Sequence, residues 1–187
     1  MSQARYSHSP RPTSGPLSFK LDSERLTVDS GRKVDIVQLG AVEQVRLTYE
    51  PRSLAQRAYQ TKVRMKDGKT FKFSSLSWKS FVEAERLDAP YSAFAKSLIE
   101  AVARANPQAK FLAGRSPLNY TATVGLTALS LAGIVYFTWR ALQAGATGAA
   151  LFAIALGLVG AWQLEPMVRL NKPRAFAPDA PPPELLP

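Results

Sequence analysis

The chain has no cysteine and a single histidine, His8, among its 187 residues. Without thiols there is no disulfide, no thiolate zinc site and no cysteine nucleophile, and the redox compartment is left open. One histidine cannot build an imidazole metal site alone. His8 itself falls in a polar, Pro-containing leader, where the sequence predicts an unstructured surface side chain. Acids are scarce as well: 14 Asp and Glu against 24 Lys and Arg give a net charge of +10. The groups of nucleophilic and metal chemistry are thin, so no catalytic residue, metal or cofactor is expected. The acids closest together, Glu83, Glu85 and Asp88, come with no partner base, so a paired-carboxylate mechanism has no support. An enzyme is the least favoured reading.

Charge is also missing from two long apolar stretches, residues 121–139 and 146–164. At ~1.5 Å rise per residue, ~20 residues cover the ~30 Å hydrocarbon core of a bilayer. A soluble helix would carry a charged stripe, and neither stretch does. The short turn 140–145 makes them one hairpin, predicted over 118–168 with spans at about 120–140 and 146–165. Residues 1–16 lack the apolar core of a signal peptide. Lys110 and Arg115 precede the hairpin; Arg169, Lys172 and Arg174 follow it; the turn has only Arg140. Lys and Arg near span ends are retained on the cytoplasmic side, so both termini are expected there, at the cytoplasmic (inner) membrane. Tyr120, Trp139 and Trp162 fall near span ends, where amphipathic rings settle. With no charge inside either span, nothing marks an ion path, and two helices are too few for a transporter.

In the second span Ala149, Ala153, Gly157 and Ala161 repeat every four residues, a candidate helix-packing face. Gly125 and Gly133 of the first span offer a partial counterpart. The same ridge could instead serve another copy or another protein. Glu165 and Arg169, one turn apart, read as a local ion pair.

Residues 17–74 carry strand signals. Short runs at 17–21 and 25–29 flank the polar turn Asp22-Ser23-Glu24, and runs at 34–37, 42–49, 58–65 and 69–74 follow. The last hairpin has a decidable register. A two-residue Asp67-Gly68 loop would put Lys62 and Arg64 opposite Phe73 and Phe71, mixing charges into the apolar face. A three-residue loop, Lys66-Asp67-Gly68, pairs Val63 with Phe71 and Thr61 with Phe73. Lys62, Arg64 and Lys72 then gather on the opposite face. Trp78 and Phe81 sit in a polar link. A helix is predicted over 89–105, with Asp88 as N-cap and Pro90 in its first turn. Tyr91, Phe94, Ala95, Leu98, Val102 and Ala105 make a stripe assigned to core packing, and Asn106-Pro107 ends it.

The segment 32–47, with Ile36-Val37-Gln38-Leu39-Gly40-Ala41-Val42 and then Val45, resembles bacterial pleckstrin-homology-like (PH-like) domains of membrane proteins. Those domains have an Ile-x-Leu-x-x-Ile-type step between early strands, and many are fused to short transmembrane hairpins. The resemblance covers about residues 17–106. It implies an α+β domain: a curved antiparallel sheet or partly open barrel of six to seven strands with a C-terminal capping helix, here followed by the two-helix hairpin. It implies binding of lipids or proteins, not catalysis. Phosphoinositide recognition does not carry over, because the first two strands offer only Lys20 and Arg25, with Asp22 and Glu24 between them.

The expected organisation is a disordered polar leader (1–16), a PH-like cytoplasmic domain (17–108), a linker (109–117), the hairpin, and a disordered Pro-rich tail (169–187). The leading functional reading is a non-enzymatic, membrane-anchored module that recruits or organises protein partners. The alternative is anionic-lipid sensing through Lys62, Arg64 and Lys72, with Lys66 and Lys69 nearby; each basic group near an anionic surface contributes about 1 kcal/mol. The blander explanation of these charges is solvation of a strand face. Nucleic acid suits the charge, but no aromatic–basic interleaving or helix-turn-helix pattern accompanies it.

Overall fold

A computed structural model describes residues 4–51 and 56–187; residues 1–3 of the leader lie outside the described residues. The chain divides into two compact units, Met1–Gly114 with Arg174–Pro187, and Arg115–Pro173.

The first unit is mixed α+β. Strands β1 (Ala4–His8), β2 (Leu17–Leu21), β3 (Arg25–Asp29) and β4 (Val34–Gln38) form an antiparallel meander. A second meander follows in β5 (Val42–Tyr49), β6 (Tyr59–Met65) and β7 (Thr70–Ser74). A small hairpin, β8 (Leu76–Trp78) with β9 (Ala84–Arg86), leads into helix α1 (Asp88–Ala105). Strand β10 (Lys110–Ala113) then pairs parallel to β5, and β11 (Arg174–Ala175) pairs antiparallel to β10.

The β6–β7 register is the one the three-residue loop requires: Val63 lies opposite Phe71 and Thr61 opposite Phe73. Gly68, at φ 85°, occupies the left-handed position that a Cβ would strain. Its N–H donates to the Met65 carbonyl at 3.0 Å. Tyr59, Thr61, Val63, Met65 and Phe73 are buried and Phe71 is half-buried, so the cations between them point away. The two meanders and α1 meet in a cluster of rings. Phe73 lies 5.2 Å from both Phe19 and Phe94, and Tyr6 lies 5.7 Å from Phe94. Thr61 and Tyr91 share a buried hydrogen bond of 2.9 Å, which satisfies two hydroxyls the core would otherwise strand.

Several expectations are corrected here. The leader is not disordered throughout: Tyr6 and His8 alternate with exposed Arg5 and Ser7, and β1 pairs along all of β2. The 109–117 linker contains β10, whose Phe111 and Ala113 are buried. The polar link around Trp78 and Phe81 is the β8–β9 hairpin. Asp88 is not an N-cap but the first helical residue; the cap position is Leu87, and the Asp88 carboxylate takes an ion pair with Arg86. Pro90 does lie in the first turn, and Tyr91, Phe94, Ala95, Leu98 and Val102 are buried.

The Pro-rich tail is ordered, not loose. Leu185 is fully buried and Leu186 nearly so, and Phe176 packs on Phe111 with ring centroids 5.9 Å apart. Arg174 pairs with Glu184, and the Ser92 hydroxyl donates to the Pro187 carbonyl. The prolines add no ladder donors, but Leu185 and Leu186 give the segment apolar surface to bury.

The second unit is a pair of helices, α2 (Pro117–Gln143) and α3 (Thr147–Arg169). Both are long and apolar enough to cross a membrane. None of the apolar window of α2 and 11% of that of α3 is buried, whereas a core helix of a soluble protein would be covered. Gly145, at φ 71°, turns the chain between them. Glu165 and Arg169 form their expected pair.

The ridge of small residues is only half correct. Ala153 is buried, and a Cβ at Gly157 would stand 3.1 Å from Ile134 Cγ2, but Ala149 and Ala161 are exposed. A four-residue step overshoots the helical turn by about 40°, so three steps carry a ridge about 120° around the axis. The seam instead alternates steps of three and four through Ala150, Ala153 and Gly157. Gly125 and Gly133 do not face it; nothing lies within 4 Å of a Cβ at either. The α2 side is built by Thr127, Leu131, Ile134, Thr138 and Ala141, which are less exposed than their neighbours.

Gly157→Leu in the detergent-solubilised chain should lower the melting temperature, at a cost of about 1–3 kcal/mol from overpacking. Gly160→Leu, where a Cβ meets nothing within 4 Å, should leave it unchanged. Leu185→Ala should cost the first unit about 3 kcal/mol by chemical denaturation, a loss a disordered tail would not show.

Candidate functional site

The face of the β5–β6–β7 sheet opposite the ring cluster carries the predicted basic residues. Alternation places Lys62 and Arg64 there from β6, and Lys72 from β7. The register adds two residues that single-strand reading missed. Arg46 of β5 lies opposite Lys62, which lies opposite Lys72, and Lys110 of β10 lies opposite Gln44 in the next row. Arg46 was legible as an outward residue of its strand, but its alignment with Lys62 depends on the β5–β6 pairing. Lys110 stood in a presumed linker.

The row Arg46–Lys62–Lys72 sets three like charges side by side across neighbouring strands. Directly opposed side chains stand ~5 Å apart at Cβ, and like charges there oppose folding. Neither Lys62 nor Lys72 has an ion-pair partner among the described residues. Arg46 is half-buried, which pulls its pKa downward through desolvation, and its guanidinium donates to the Gly114 carbonyl at 3.0 Å. It meets a neutral dipole there, so its charge is not cancelled.

Arg64 belongs to a different arrangement. A bulge between Val42 and Gln44 turns Glu43 out of the ladder, and its carboxylate lies 3.0 Å from Arg64 Nε. Arg64 therefore shares the face but brings little free charge. Lys66 reaches the Gly40 carbonyl at 3.3 Å, and Lys69 pairs with Asp67 at 3.7 Å in the loop. The uncompensated charge is concentrated at Lys62 and Lys72, with Arg46 behind them.

Beside Lys72 the face opens into a cavity of about 210 Å³, with His8, Arg11, Gln60, Lys72, Ser74 and Trp78 in its walls and no carboxylate. His8 is no surface residue, as the correction to the leader requires. It is 3% exposed, with its ring 5.7 Å from Tyr6 and 6.0 Å from Phe19, nearly parallel to both. Desolvation lowers its pKa to about 4, so it is neutral at physiological pH. Its Nδ1 is buried without a partner, a state only a neutral imidazole tolerates at modest cost. The flat ring explains its place: it extends the aromatic stack at the end of β1.

Nothing assembles the acids into a site. Glu85 pairs with Lys79 at 3.2 Å and Asp88 with Arg86, while Glu83 ends the turn of the β8–β9 hairpin. Among the described residues no three His, Asp or Glu stand together in a way that could hold a metal. Tyr6 and Tyr91 are held protonated by burial, with Asp88 adding to the effect at Tyr6, and both hydroxyls are engaged inside the core. The arrangement can attract and hold an anion.

Comparison with known proteins returned nothing. No family model, no curated protein and no solved structure matches the chain. The site therefore has to be read from its own chemistry: an unpaired cation row on a rigid sheet, adjoining a cavity without acids.

The neutral His8 has a measurable consequence. In the unfolded chain its pKa returns to ~6.5, so below that pH the unfolded state binds a proton that the folded state refuses down to about 4. Stability should fall as pH drops from 6.5 toward 4, by up to about 3 kcal/mol. No other histidine titrates in this window. Melting temperature against pH from 7.5 to 5 should show the slope, and His8→Phe should flatten it.

Proposed function

We propose that the chain is a non-enzymatic, membrane-anchored interaction module. Helices α2 and α3 form the anchor, and the first unit is a PH-like domain displayed at the cytoplasmic face. Its basic sheet face recruits an acidic segment of a partner protein. One observation carries this reading: Arg46, Lys62 and Lys72 stand in cross-strand register with no acid among the described residues answering them. Such a row costs folding energy, and an anionic partner relieves it.

The anchor is supported by two apolar helices whose faces the chain itself leaves uncovered. The orientation rests on the basic flanks Lys110, Arg115, Arg169, Lys172 and Arg174 against the single Arg140 in the turn. The PH-like reading is supported by seven meander strands followed by a helix that closes the core. The departures are the β8–β9 hairpin before α1, and strands β10 and β11 added beyond it.

The second reading, binding of anionic lipid, is favoured by the anchor, because a tethered domain meets headgroups at high local concentration. Crosslinking of the full chain in native membranes and hydrogen exchange of the full chain in nanodiscs separate the two. On the partner reading, Lys62→Glu with Lys72→Glu removes crosslinked adducts formed in native membranes, while Arg64→Gln keeps them. Adducts that survive the double reversal would end it. On the lipid reading, hydrogen-exchange protection across β6 and β7 rises when anionic lipid replaces neutral lipid, and the same reversal cancels the rise.

A further inference from the structure

We infer that the cavity at the end of the cation row is a binding site for a compact phosphate-type oxyanion, held between Lys72 and Arg11. The inference rests on the basic-face reading and goes beyond it by naming a bounded site and its ligand chemistry. The cavity of about 210 Å³ has room for about seven water-sized groups at ~30 Å³ each. A phosphate group with a short ester stub fits that space.

The walls match the charge of such a group. Lys72 arrives from β7, and Arg11 from the connection between β1 and β2. Neither has an acidic partner among the described residues, and no carboxylate lines the space. Two fixed positive charges face a phosphate monoester that carries about −1.5 to −2 at neutral pH. His8 adds shape and no charge. Among the described residues the Gln60 carboxamide and the Trp78 indole N–H have no partner, leaving neutral donors beside the cations.

The backbone that carries Arg11 is ordered before any ligand arrives. The Ser9 N–H donates to Ser77 Oγ at 3.0 Å and the Trp78 N–H to the Ser9 carbonyl at 3.0 Å, fastening this connection to β8. Ser14 closes a turn on Arg11: its N–H donates to the Arg11 carbonyl at 3.2 Å, and its Oγ receives the Arg11 N–H at 3.1 Å. A connection tied to β8 at one end and closed by a local turn loses less backbone entropy on binding than a free loop would.

The test uses the full-length, detergent-solubilised chain, titrated with inorganic phosphate and with glycerol 3-phosphate against a chloride control of equal ionic strength. Melting temperature is one readout. Trp78 fluorescence, isolated by Trp139→Phe and Trp162→Phe, is the other. A saturable response is expected, weakened about tenfold or more by Arg11→Gln or Lys72→Gln, with Lys72→Arg restoring most of it. Lys62→Gln, in the row but outside the cavity, should leave phosphate affinity unchanged while it reduces partner capture, so each reading can fail alone. Loss of response in nanodiscs containing phosphatidic acid assigns the site to a lipid headgroup, and a response that persists there assigns it to a soluble ester. No saturable response, or equal weakening by Lys62→Gln and Lys72→Gln, overturns the site.

Discussion

Lys62, Arg64 and Lys72 share one outward face because β6 and β7 pair with Val63 opposite Phe71. A strand repeats every two residues, so a slip of one position would set Lys62 and Arg64 on the same face as Phe71 and Phe73, either burying the two cations or exposing the two rings. The cost of burying those two charges is far larger than any gain from a tighter turn. The loop therefore takes three residues, and Gly68 supplies the left-handed backbone it needs. From that register follows the pairing of Lys62 with Lys72 across the strands, and the β5–β6 ladder adds Arg46 to the row. Core and site are two sides of one pairing.

The ring cluster gives that sheet something to lie against. Phe19 from the first meander, Phe73 from the second and Phe94 from α1 meet within about 6 Å of one another. Tyr6 and His8 extend the stack from β1, so the N-terminal strand belongs to the core. The closing tail does comparable work at another edge, where Leu185 is buried and β11 covers β10. Sequence on both sides of the helical pair thus contributes to the same unit, and insertion of the pair does not interrupt its core.

The helical pair obeys a different rule. In lipid, apolar burial gives helices no reason to associate, so close approach of backbones has to supply the attraction. Gly157 against Ile134, with Ala150 and Ala153 buried in the same seam, provides such an approach. The large side chains Leu129, Phe152, Leu158 and Trp162 remain on the outside, where acyl chains can cover them.

Local patterns were enough to identify the six central strands, α1 and both apolar helices. The β6–β7 register was also legible, because both candidate loops could be judged by the charges they would bury. The packing of α1 followed from its stripe, except at Ala105, which the helix end leaves exposed. Other features needed the tertiary structure because they depend on partners distant in sequence. Arg46 joins Lys62 only through the β5–β6 ladder, and Glu43 neutralises Arg64 only because a bulge turns it outward. Alternation in β1 was visible around Tyr6 and His8, yet so short a run has no meaning until β2 lies beside it. Leu185 and Leu186 read as an apolar end to a Pro-rich tail, since no local signal reports the surface that receives them. By itself the sequence determined where charge and apolar surface fall along the chain, because strand and helix periodicities are local. Which charges stay unpaired, and which apolar ends find cover, only the tertiary structure decided, because both depend on what the fold brings near.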